Sequence, residues 1–210
     1  MSIRIVEWFP PLFHDRGEAG RELAAAGGLA ELDEPLVVGL ARGGVAVALE
    51  VARGLDAPLT AVAVARVNAH GLRLGATAAE GPAYLLPDQG VFEEEVAAVV
   101  ARARRDAAAL DGRLEVSRPA LAGRTVLVVD DGLVTGLTLA AACRWARAAG
   151  AAFVAAAVPV AAPRGLDRVS AEADAAVCPH VLDELAVVGQ AYQLFEPLDE
   201  WYVAGLLRDS

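Results

Sequence analysis

The sequence contains no lysine, and all 18 basic residues among its 210 are arginine. A lysine Schiff base, a pyridoxal-phosphate anchor and a Walker A lysine are therefore excluded. Acidic residues number 28, so the formal net charge is −10 and the pI is about 4.8. Because nucleic-acid binding requires a basic surface, we expect no nucleic-acid partner.

Cysteine and histidine are also scarce. Cys143 and Cys178 are far apart and form no Cys-x-x-Cys motif, which favours a reducing compartment over a disulfide framework. We therefore expect a cytoplasmic location. His14, His70 and His180 lack the short spacings that bring two imidazoles to one metal, so the sequence predicts no metal-ligating residues. The absence of Gly-x-Ser-x-Gly argues against an esterase-type nucleophile.

Long apolar runs are missing, although 56% of the residues are hydrophobic and the mean hydropathy is +0.42. The longest run, from Ala151 to Pro163, is shorter than a membrane-spanning helix requires and contains Pro159. We therefore expect no membrane partner. The opening stretch MSIRIVEWFPPL has no apolar segment after a basic start, so we expect no signal peptide.

The remaining pattern alternates short apolar runs with Gly-containing loops and helix-length stretches rich in Ala and Arg. This alternation is typical of βαβ units, and it predicts an α/β fold with a Rossmann-like, open, mainly parallel sheet that carries helices on both faces. The predicted strands are Leu36–Leu40, Leu59–Ala65, Thr125–Val129, Phe153–Val158 and Ala175–Cys178. The predicted helices are Asp15–Ala26, Val45–Leu55, Phe92–Glu115, Leu137–Ala149 and residues 198–208.

The length favours one domain over residues 1–210. We place its core at about 30–180 and its terminal elements at about 1–28 and 181–210. The segment Arg66–Pro87 is rich in Gly, His and Pro, and it is predicted to be a long loop with at most a weak hairpin.

The most informative segment is TVLVVDDGLVTGLT, residues 125–138. A buried strand ends at Asp130 and Asp131, and a short loop then leads directly into a helix. In an open parallel sheet, ligands bind beyond the carboxyl ends of the strands. Backbone N–H groups and hydroxyls at a helix N-terminus form an anion site that suits a phosphate. The acids can accept hydrogen bonds from vicinal hydroxyls, whereas simple helix and turn caps are the alternative interpretation. The loop residues are Val134, Thr135, Gly136, Leu137 and Thr138.

A second strand, Leu36–Leu40, leads into a loop with Arg42, Gly43 and Gly44. The guanidinium group of an arginine matches phosphate oxygens, and glycine lets the backbone approach a ligand closely. An ordinary βα turn with a surface arginine is the alternative. Together with the acid pair, this loop favours a phosphate-containing ligand.

The segment VLVVDDGLVTGLT resembles the fingerprint of type I phosphoribosyltransferases: four apolar residues, two acids, three variable positions and Thr-Gly-x-Thr. The chain ends resemble those of small bacterial phosphoribosyltransferase-domain proteins of undefined substrate. The resemblance implies 5-phosphoribosyl 1-pyrophosphate as substrate, Mg²⁺ as cofactor, and displacement of pyrophosphate by a nitrogen acceptor, usually a nucleobase. It implies that Asp130 and Asp131 are catalytic and that the Arg42–Gly44 loop holds pyrophosphate.

The resemblance also implies that the end segments form a small hood over the acceptor. Tyr192 and Phe195 are stacking candidates there, although core packing is the favoured role of each. The sequence itself does not give the oligomeric state, but a homodimer is common in such folds and is therefore the oligomer to test for here.

Two departures from the family pattern bear on activity. Val67 replaces a lysine that usually follows the arginine at Arg66, and Asn68–Leu74 is several residues shorter than the mobile flap of these enzymes. Arg66 and Arg73 remain candidates for phosphate contacts. Val134 stands where enzymes that act on 6-oxopurines place an acid, which argues against such acceptors.

Two other functions compete with a transferase. The short flap favours a non-catalytic phosphoribosyl-pyrophosphate sensor or regulatory module. A phosphatase or hydrolase that uses Asp130 is the second alternative, but a nucleophilic aspartate usually requires a lysine, which this chain lacks.

Overall fold

One seven-stranded sheet runs through the described residues, 10–87 and 90–208 of a computed structural model. Its strands are β1 (Leu36–Ala41), β2 (Leu59–Ala69), β3 (Leu72–Ala78), β4 (Tyr84–Leu85), β5 (Thr125–Val129), β6 (Phe153–Ala157) and β8 (Ala175–Val177). They are arranged in the order β4-β3-β2-β1-β5-β6-β8. Strands β2, β1, β5, β6 and β8 are mutually parallel, whereas β3 and β4 are added antiparallel at one edge.

Helices cover both faces of this sheet, as predicted. Their bounds are α1 (Arg16–Ala24), α2 (Gly43–Gly54), α3 (Glu93–Arg113), α4 (Leu137–Ala148), α5 (Pro163–Ser170) and α6 (Glu200–Arg208). Alternate residues of β1 point to opposite faces: Val37 packs with α1 and α2, whereas Val38 packs with α4. The continuous apolar strands therefore reflect burial on both sides.

A small hood lies at the carboxyl ends of the central strands. It contains the two-stranded parallel sheet β7 (Val160–Ala161) and β9 (His180–Val181) and the short 3₁₀ helix at Val188–Ala191. Phe13 from the N-terminal side and Tyr192 from the C-terminal side pack together in one apolar cluster there. Segments near both chain ends thus contribute to the hood, as the resemblance implied, whereas α6 lies outside it and packs against α2 and β2.

The predicted long loop over Arg66–Pro87 is wrong. Strand β2 continues to Ala69, and β3 pairs with it antiparallel across a two-residue turn at His70 and Gly71. The antiparallel pairing buries Val67 and Leu74 against α3, which the local Gly and Pro content did not reveal. His70 is exposed, as expected, and contacts Glu95 at 2.6 Å.

Sequence reasoning also missed α5, β7 and β9: β7 and the start of α5 lie within the apolar run that ends at Pro163, and β9 follows it at His180. The prediction about a signal peptide falls mainly on residues 1–9, outside the described residues. None of the helices in the described ranges combines the length and apolarity that crossing a bilayer requires.

Candidate active site at the carboxyl ends of β1 and β5

The two predicted loops meet because β1 and β5 are neighbouring parallel strands. Gly39 of β1 pairs with Val129 of β5, so the residues that follow these two strands emerge side by side. The helices α2 and α4 then begin from adjacent loops at the same edge of the sheet. The topology thereby brings the Arg42 loop and the acid pair to one place.

Asp130 and Asp131 follow directly after β5 and are the two acidic residues of this site. The Asp131 backbone N–H donates to Asp130 Oδ1 at 2.9 Å, which fixes the first carboxylate. Asp131 Oδ2 accepts from Arg16 Nε at 2.8 Å. Burial raises the pKa of Asp130 well above its ordinary value, and the neighbouring Asp131 charge adds to that rise. Burial also raises the pKa of Asp131, against the opposing effect of Arg16.

Arg16 holds Asp131 from the N-terminal helix. Its Nη1 donates to the Glu196 carbonyl oxygen at 3.0 Å, and its guanidinium lies 3.9 Å from the centroid of the Phe195 ring. Only 9% of Arg16 is exposed. Sequence reasoning missed this residue, since 115 positions separate it from Asp131 and no local motif links the two.

Tyr192 and Phe195 stack on each other with ring centroids 4.8 Å apart. The Tyr192 hydroxyl donates to the backbone oxygen of Asp131 at 2.5 Å, and the ring is buried in the hood. Burial raises the pKa of that phenol, so it stays a hydrogen-bond donor at neutral pH. Tyr192 therefore has the core-packing role that the sequence favoured, while Phe195 supports Arg16.

The loop predicted to bind phosphate, residues 134–138, turns directly into α4, and we call it the phosphate loop after that prediction. Gly136 occupies the position before the helix with φ of +71°, a left-handed conformation that favours glycine. The first N–H groups of α4 have no intrahelical acceptors and are available to an anion. Arg168 of α5 donates to the Thr135 carbonyl oxygen, and Arg73 lies 3.5 Å from the Thr135 hydroxyl. No local pattern pointed to the Arg168 contact.

The loop after β1 approaches the acids closely. A Cβ atom on Gly43 would lie 2.0 Å from Asp131 Oδ2, so only glycine fits there. The peptide bond between Ala41 and Arg42 is cis. Gly44 packs against the backbone of Val129 and Asp130, behind the acids.

The acid pair, the phosphate loop and the loop after β1 line one cavity of about 810 Å³. We call it the acid cavity. The structure brings nine predicted site residues to it and leaves two outside. Gly44 lies behind the wall, and the Leu137 side chain is buried against Ala76 and Ala141. The predicted residues that line the acid cavity are Arg42, Gly43, Arg66, Asp130, Asp131, Val134, Thr135, Gly136 and Thr138.

A phosphate-sized anion and a polyhydroxyl group could both be bound in this cavity. Arg42, Arg66 and Arg73 line it without contacting a carboxylate in the described ranges. Asp131 pairs with Arg16, and the charges of Arg16 and Arg66 both oppose the rise that burial causes in the pKa of Asp130. The site therefore places positive groups where phosphates can bind and acidic groups where hydroxyls can donate.

Comparison with known proteins agrees with this geometry. The family model for the phosphoribosyl transferase domain matches residues 18–193. The chain belongs to the type I phosphoribosyltransferase family. Within that family, a Mycobacterium tuberculosis H37Rv protein, provisionally named a phosphoribosyl transferase, is 38% identical over 94% of this chain. The alignment covers 47% of that protein, so the chain spans about half the length of the curated relatives it matches.

Two solved structures have the same architecture. The crystal structure of TT1426 from Thermus thermophilus superposes with a TM-score of 0.81 at 36% identity, over 94% of this chain and 98% of that one. An APRTase from Giardia lamblia, at 16% identity, has a TM-score of 0.52 over 80% of this chain and 79% of its own. The second comparison shows the fold alone.

Proposed function

We propose that this phosphoribosyltransferase-family protein transfers phosphoribose from 5-phosphoribosyl 1-pyrophosphate to a nitrogen acceptor of the nucleobase class. One observation carries the proposal: the acid pair, the phosphate loop and the Arg42 loop all line the acid cavity. The ligand has a phosphate, vicinal hydroxyls and a pyrophosphate, and each has a matching group in that cavity.

The phosphate loop would bind the 5′-phosphate through the free N–H groups at the start of α4 and the Thr135 and Thr138 hydroxyls. Asp130 and Asp131 would accept hydrogen bonds from the ribose hydroxyls. Arg42 and the Gly43 backbone would hold the pyrophosphate, whose oxygens suit a guanidinium. These contacts fix the anomeric carbon between the leaving group and the space left for the acceptor.

In the reaction, the bond from the anomeric carbon to pyrophosphate breaks and its electron pair leaves with pyrophosphate. The lone pair of the acceptor nitrogen forms the new bond, and a proton bound to that nitrogen passes to solvent. The positive charge that develops on the ribose is stabilised by Asp130 and Asp131. Arg42 stabilises the negative charge on the departing pyrophosphate.

The residues present fit a Mg²⁺ ion only together with the ligand. No group of three or more His, Cys, Asp or Glu side chains within the described residues could hold a metal alone. Asp130 and Asp131 offer buried carboxylates, and Mg²⁺ often takes one or two carboxylates plus phosphate oxygens and water. When bound, the ion would supply Lewis-acid neutralisation of the pyrophosphate charge.

A non-catalytic sensor is the second candidate, and the β2–β3 hairpin favours it. The two strands are joined by only His70 and Gly71, so the mobile flap that excludes water in catalysis has little chain length here. Such a module would bind the same ligand and release no pyrophosphate with any acceptor.

The test is calorimetric titration of 5-phosphoribosyl 1-pyrophosphate, with and without Mg²⁺, into the wild type and Asp130→Asn/Asp131→Asn. We expect Mg²⁺-dependent binding that the double variant loses by about a hundredfold or more, because both the hydroxyl and cation contacts weaken. Pyrophosphate release with a panel of nucleobases then separates the transferase from the sensor.

The matched control is Asp33→Asn/Asp167→Asn, which removes the same charge at two exposed positions outside the acid cavity. It should bind as the wild type does. Equal binding by a folded Asp130→Asn/Asp131→Asn protein would overturn the assigned site, and no binding by the folded wild type would overturn the function.

A further inference from the structure

A second cavity, of about 1080 Å³, lies beside the acid cavity. We call it the arginine cavity, because Arg73, Arg164 and Arg168 line it. It is bounded by the tip of the β2–β3 hairpin, the phosphate loop and the start of α5. The proposed transfer reaction assigns no role to Arg164, and the family fingerprint does not include α5.

Among the residues that the structure describes, no carboxylate pairs with these three arginines, although the chain carries ten more acidic than basic residues. Within residues 10–87 and 90–208, ion pairs to carboxylates engage eight other arginines: Arg16, Arg21, Arg53, Arg113, Arg118, Arg144, Arg147 and Arg208. Arg73 and Arg168 contact only Thr135 among the hydrogen bonds described. The charge of this cavity is therefore not neutralised by ion pairs.

The composition of the arginine cavity indicates the class of its ligand. Its three guanidinium groups outweigh the single acid that lines it, Asp183, so the cavity favours an anion. Arginine binds phosphate and carboxylate oxygens with two parallel hydrogen bonds. Leu86 and Pro163 are partly exposed and offer apolar surface to the body of a ligand, and the buried Leu137 and Leu185 complete the lining.

We propose that the arginine cavity binds a small organic anion, with an apolar ring-sized body on the leucines and one phosphate or carboxylate group on the arginines. This site adjoins the one proposed to hold phosphoribosyl pyrophosphate and differs from it in being lined by Arg164 and Arg168. Its ligand is distinguished from a bare phosphate ion by the apolar contacts.

The two cavities share Val134, Thr135 and Arg73. Arg168 contacts the backbone and Arg73 the hydroxyl of Thr135, so an anion that engages these arginines acts on the phosphate loop directly. Occupancy of one cavity therefore changes the affinity of the other, by the same factor in both directions.

The probes are phenyl phosphate and benzoate, which carry one ring and one acid group, and inorganic phosphate, which has no apolar body. Each is titrated calorimetrically into the wild type, Arg164→Gln and Arg105→Gln. Arg164 is exposed and has no hydrogen bond or ion pair within the described chain, so its replacement should not affect folding. Arg105 is an exposed arginine of α3 outside both cavities and controls for the change in net charge.

We expect phenyl phosphate or benzoate to bind the wild type and to bind Arg164→Gln about tenfold more weakly, through loss of a charge-assisted hydrogen bond. Arg105→Gln should bind as the wild type does. Inorganic phosphate should bind more weakly than phenyl phosphate, since it gains nothing from the leucines. Whichever ring compound binds identifies the acid group that the cavity prefers.

Thr138→Val separates this site from the acid cavity, because Thr138 lines only the latter. Binding of phenyl phosphate that survives Thr138→Val but weakens in Arg164→Gln supports the proposal. The proposal is overturned if neither ring compound binds, if Arg164→Gln and Arg105→Gln behave alike, or if binding is lost in Thr138→Val instead. None of these outcomes depends on whether the chain transfers phosphoribose.

Discussion

Asp130 is buried at the floor of a cavity, and the hydrogen bond it accepts comes from the backbone of its neighbour rather than from a cation. A buried carboxylate of this kind favours its neutral form. Burial of this carboxyl group therefore lowers the stability of the folded chain as the pH rises above the ordinary pKa of an aspartate, at a position where the proposed ligand needs an acid. Functional groups are commonly kept at such a cost in stability.

Replacing Asp130 with asparagine should stabilise the unliganded chain at neutral pH. The folded pKa of Asp130 is raised above its ordinary value of 3.8, so its favourable contribution is complete below the unfolded pKa and is lost as pH rises through the folded pKa. We expect Asp130→Asn to melt about 3 °C or more above the wild type at pH 7. The difference should shrink as the pH falls below the ordinary value of 3.8, because the Asp130 carboxyl group then becomes neutral in the unfolded chain as well.

Thermal melts from pH 3.5 to 8 measure this difference. Asp33→Asn, at an exposed position, is the control and should track the wild type throughout. An Asp130→Asn chain that melts below the wild type at pH 7 would contradict the sign of the shift.

Arg16 and Asp131 form a part-buried pair, so removal of one partner should cost more than removal of both. Arg16→Met keeps a similar volume beside Phe195 but leaves the Asp131 charge uncompensated. We expect it to lower the free energy of unfolding by about 3 kcal/mol at pH 7. In the double variant Arg16→Met/Asp131→Asn, the loss should be smaller than the sum of the two single losses.

Urea denaturation of the four chains completes the cycle. Arg21→Met is the control: Arg21 lies on the same helix, and its pair with Glu50 is exposed and 3.5 Å long. It should cost about 0.5 kcal/mol or less. Additive losses in the cycle would show that Arg16 acts through packing rather than through the Asp131 charge.

At the scale of elements, α5 supports the phosphate loop from behind. Gly165 packs so closely that a Cβ atom on it would lie 2.4 Å from Leu133 Cδ1 and 2.6 Å from the Val134 carbonyl oxygen. The Arg168 contact to Thr135 comes from the same helix. The position of α5 therefore determines the conformation of a loop that it follows by more than twenty residues in sequence.

A methyl group at Gly165 should displace the phosphate loop. We expect Gly165→Ala to weaken binding of 5-phosphoribosyl 1-pyrophosphate about tenfold or more, because loop amides must be positioned accurately to bind phosphate. Gly205→Ala in α6 is the matched control, since a Cβ atom there meets open space. That control should keep the affinity and gain about 0.5–1 kcal/mol of stability.

Calorimetry and thermal melts of the two alanine variants distinguish these outcomes. Unchanged affinity in Gly165→Ala would mean that α5 can move without disturbing the loop.

At the scale of the whole molecule, charge is distributed unevenly. The net charge is −10, yet several arginines that lack carboxylate partners in the described ranges line the two neighbouring cavities: Arg42, Arg66, Arg73, Arg164 and Arg168. The local field at the cavities and the net charge thus have opposite effects on an anionic ligand.

The expected homodimer and the cytoplasmic location stay predictions, as does the single domain over residues 1–210.

The salt dependence of binding should show whether the cavity arginines or the net negative charge of the chain has the larger effect on the affinity for an anionic ligand. Raising the ionic strength from about 0.1 M to 1 M shortens the Debye length from about 10 Å to about 3 Å. If the arginines dominate, the affinity for 5-phosphoribosyl 1-pyrophosphate should fall several-fold at constant Mg²⁺, and Arg42→Gln should reduce the slope. If the net charge dominates, screening should strengthen binding instead.

The sequence was most informative where local patterns depend on local physics. The strand Thr125–Val129 was predicted with its observed bounds, because an apolar run flanked by acids and a glycine loop leaves few alternatives. The bounds of α3 were predicted to within two residues, because its length and charge pattern are typical of a helix. The long loop over Arg66–Pro87 was wrong, because the pairing of β2 with β3 depends on packing against α3, which lies later in the chain.

The α/β class, the family resemblance and the acid-pair loop could all be read from the amino-acid order, since each depends on residues that are close along the chain. Three features required the folded chain: the contact of Arg16 with Asp131, the support of the phosphate loop by α5, and the grouping around a second cavity of arginines that form no ion pair within residues 10–87 and 90–208. These contacts join segments separated by tens of residues or more. No local propensity encodes them, because packing of the helices and the hood against the sheet brings them together.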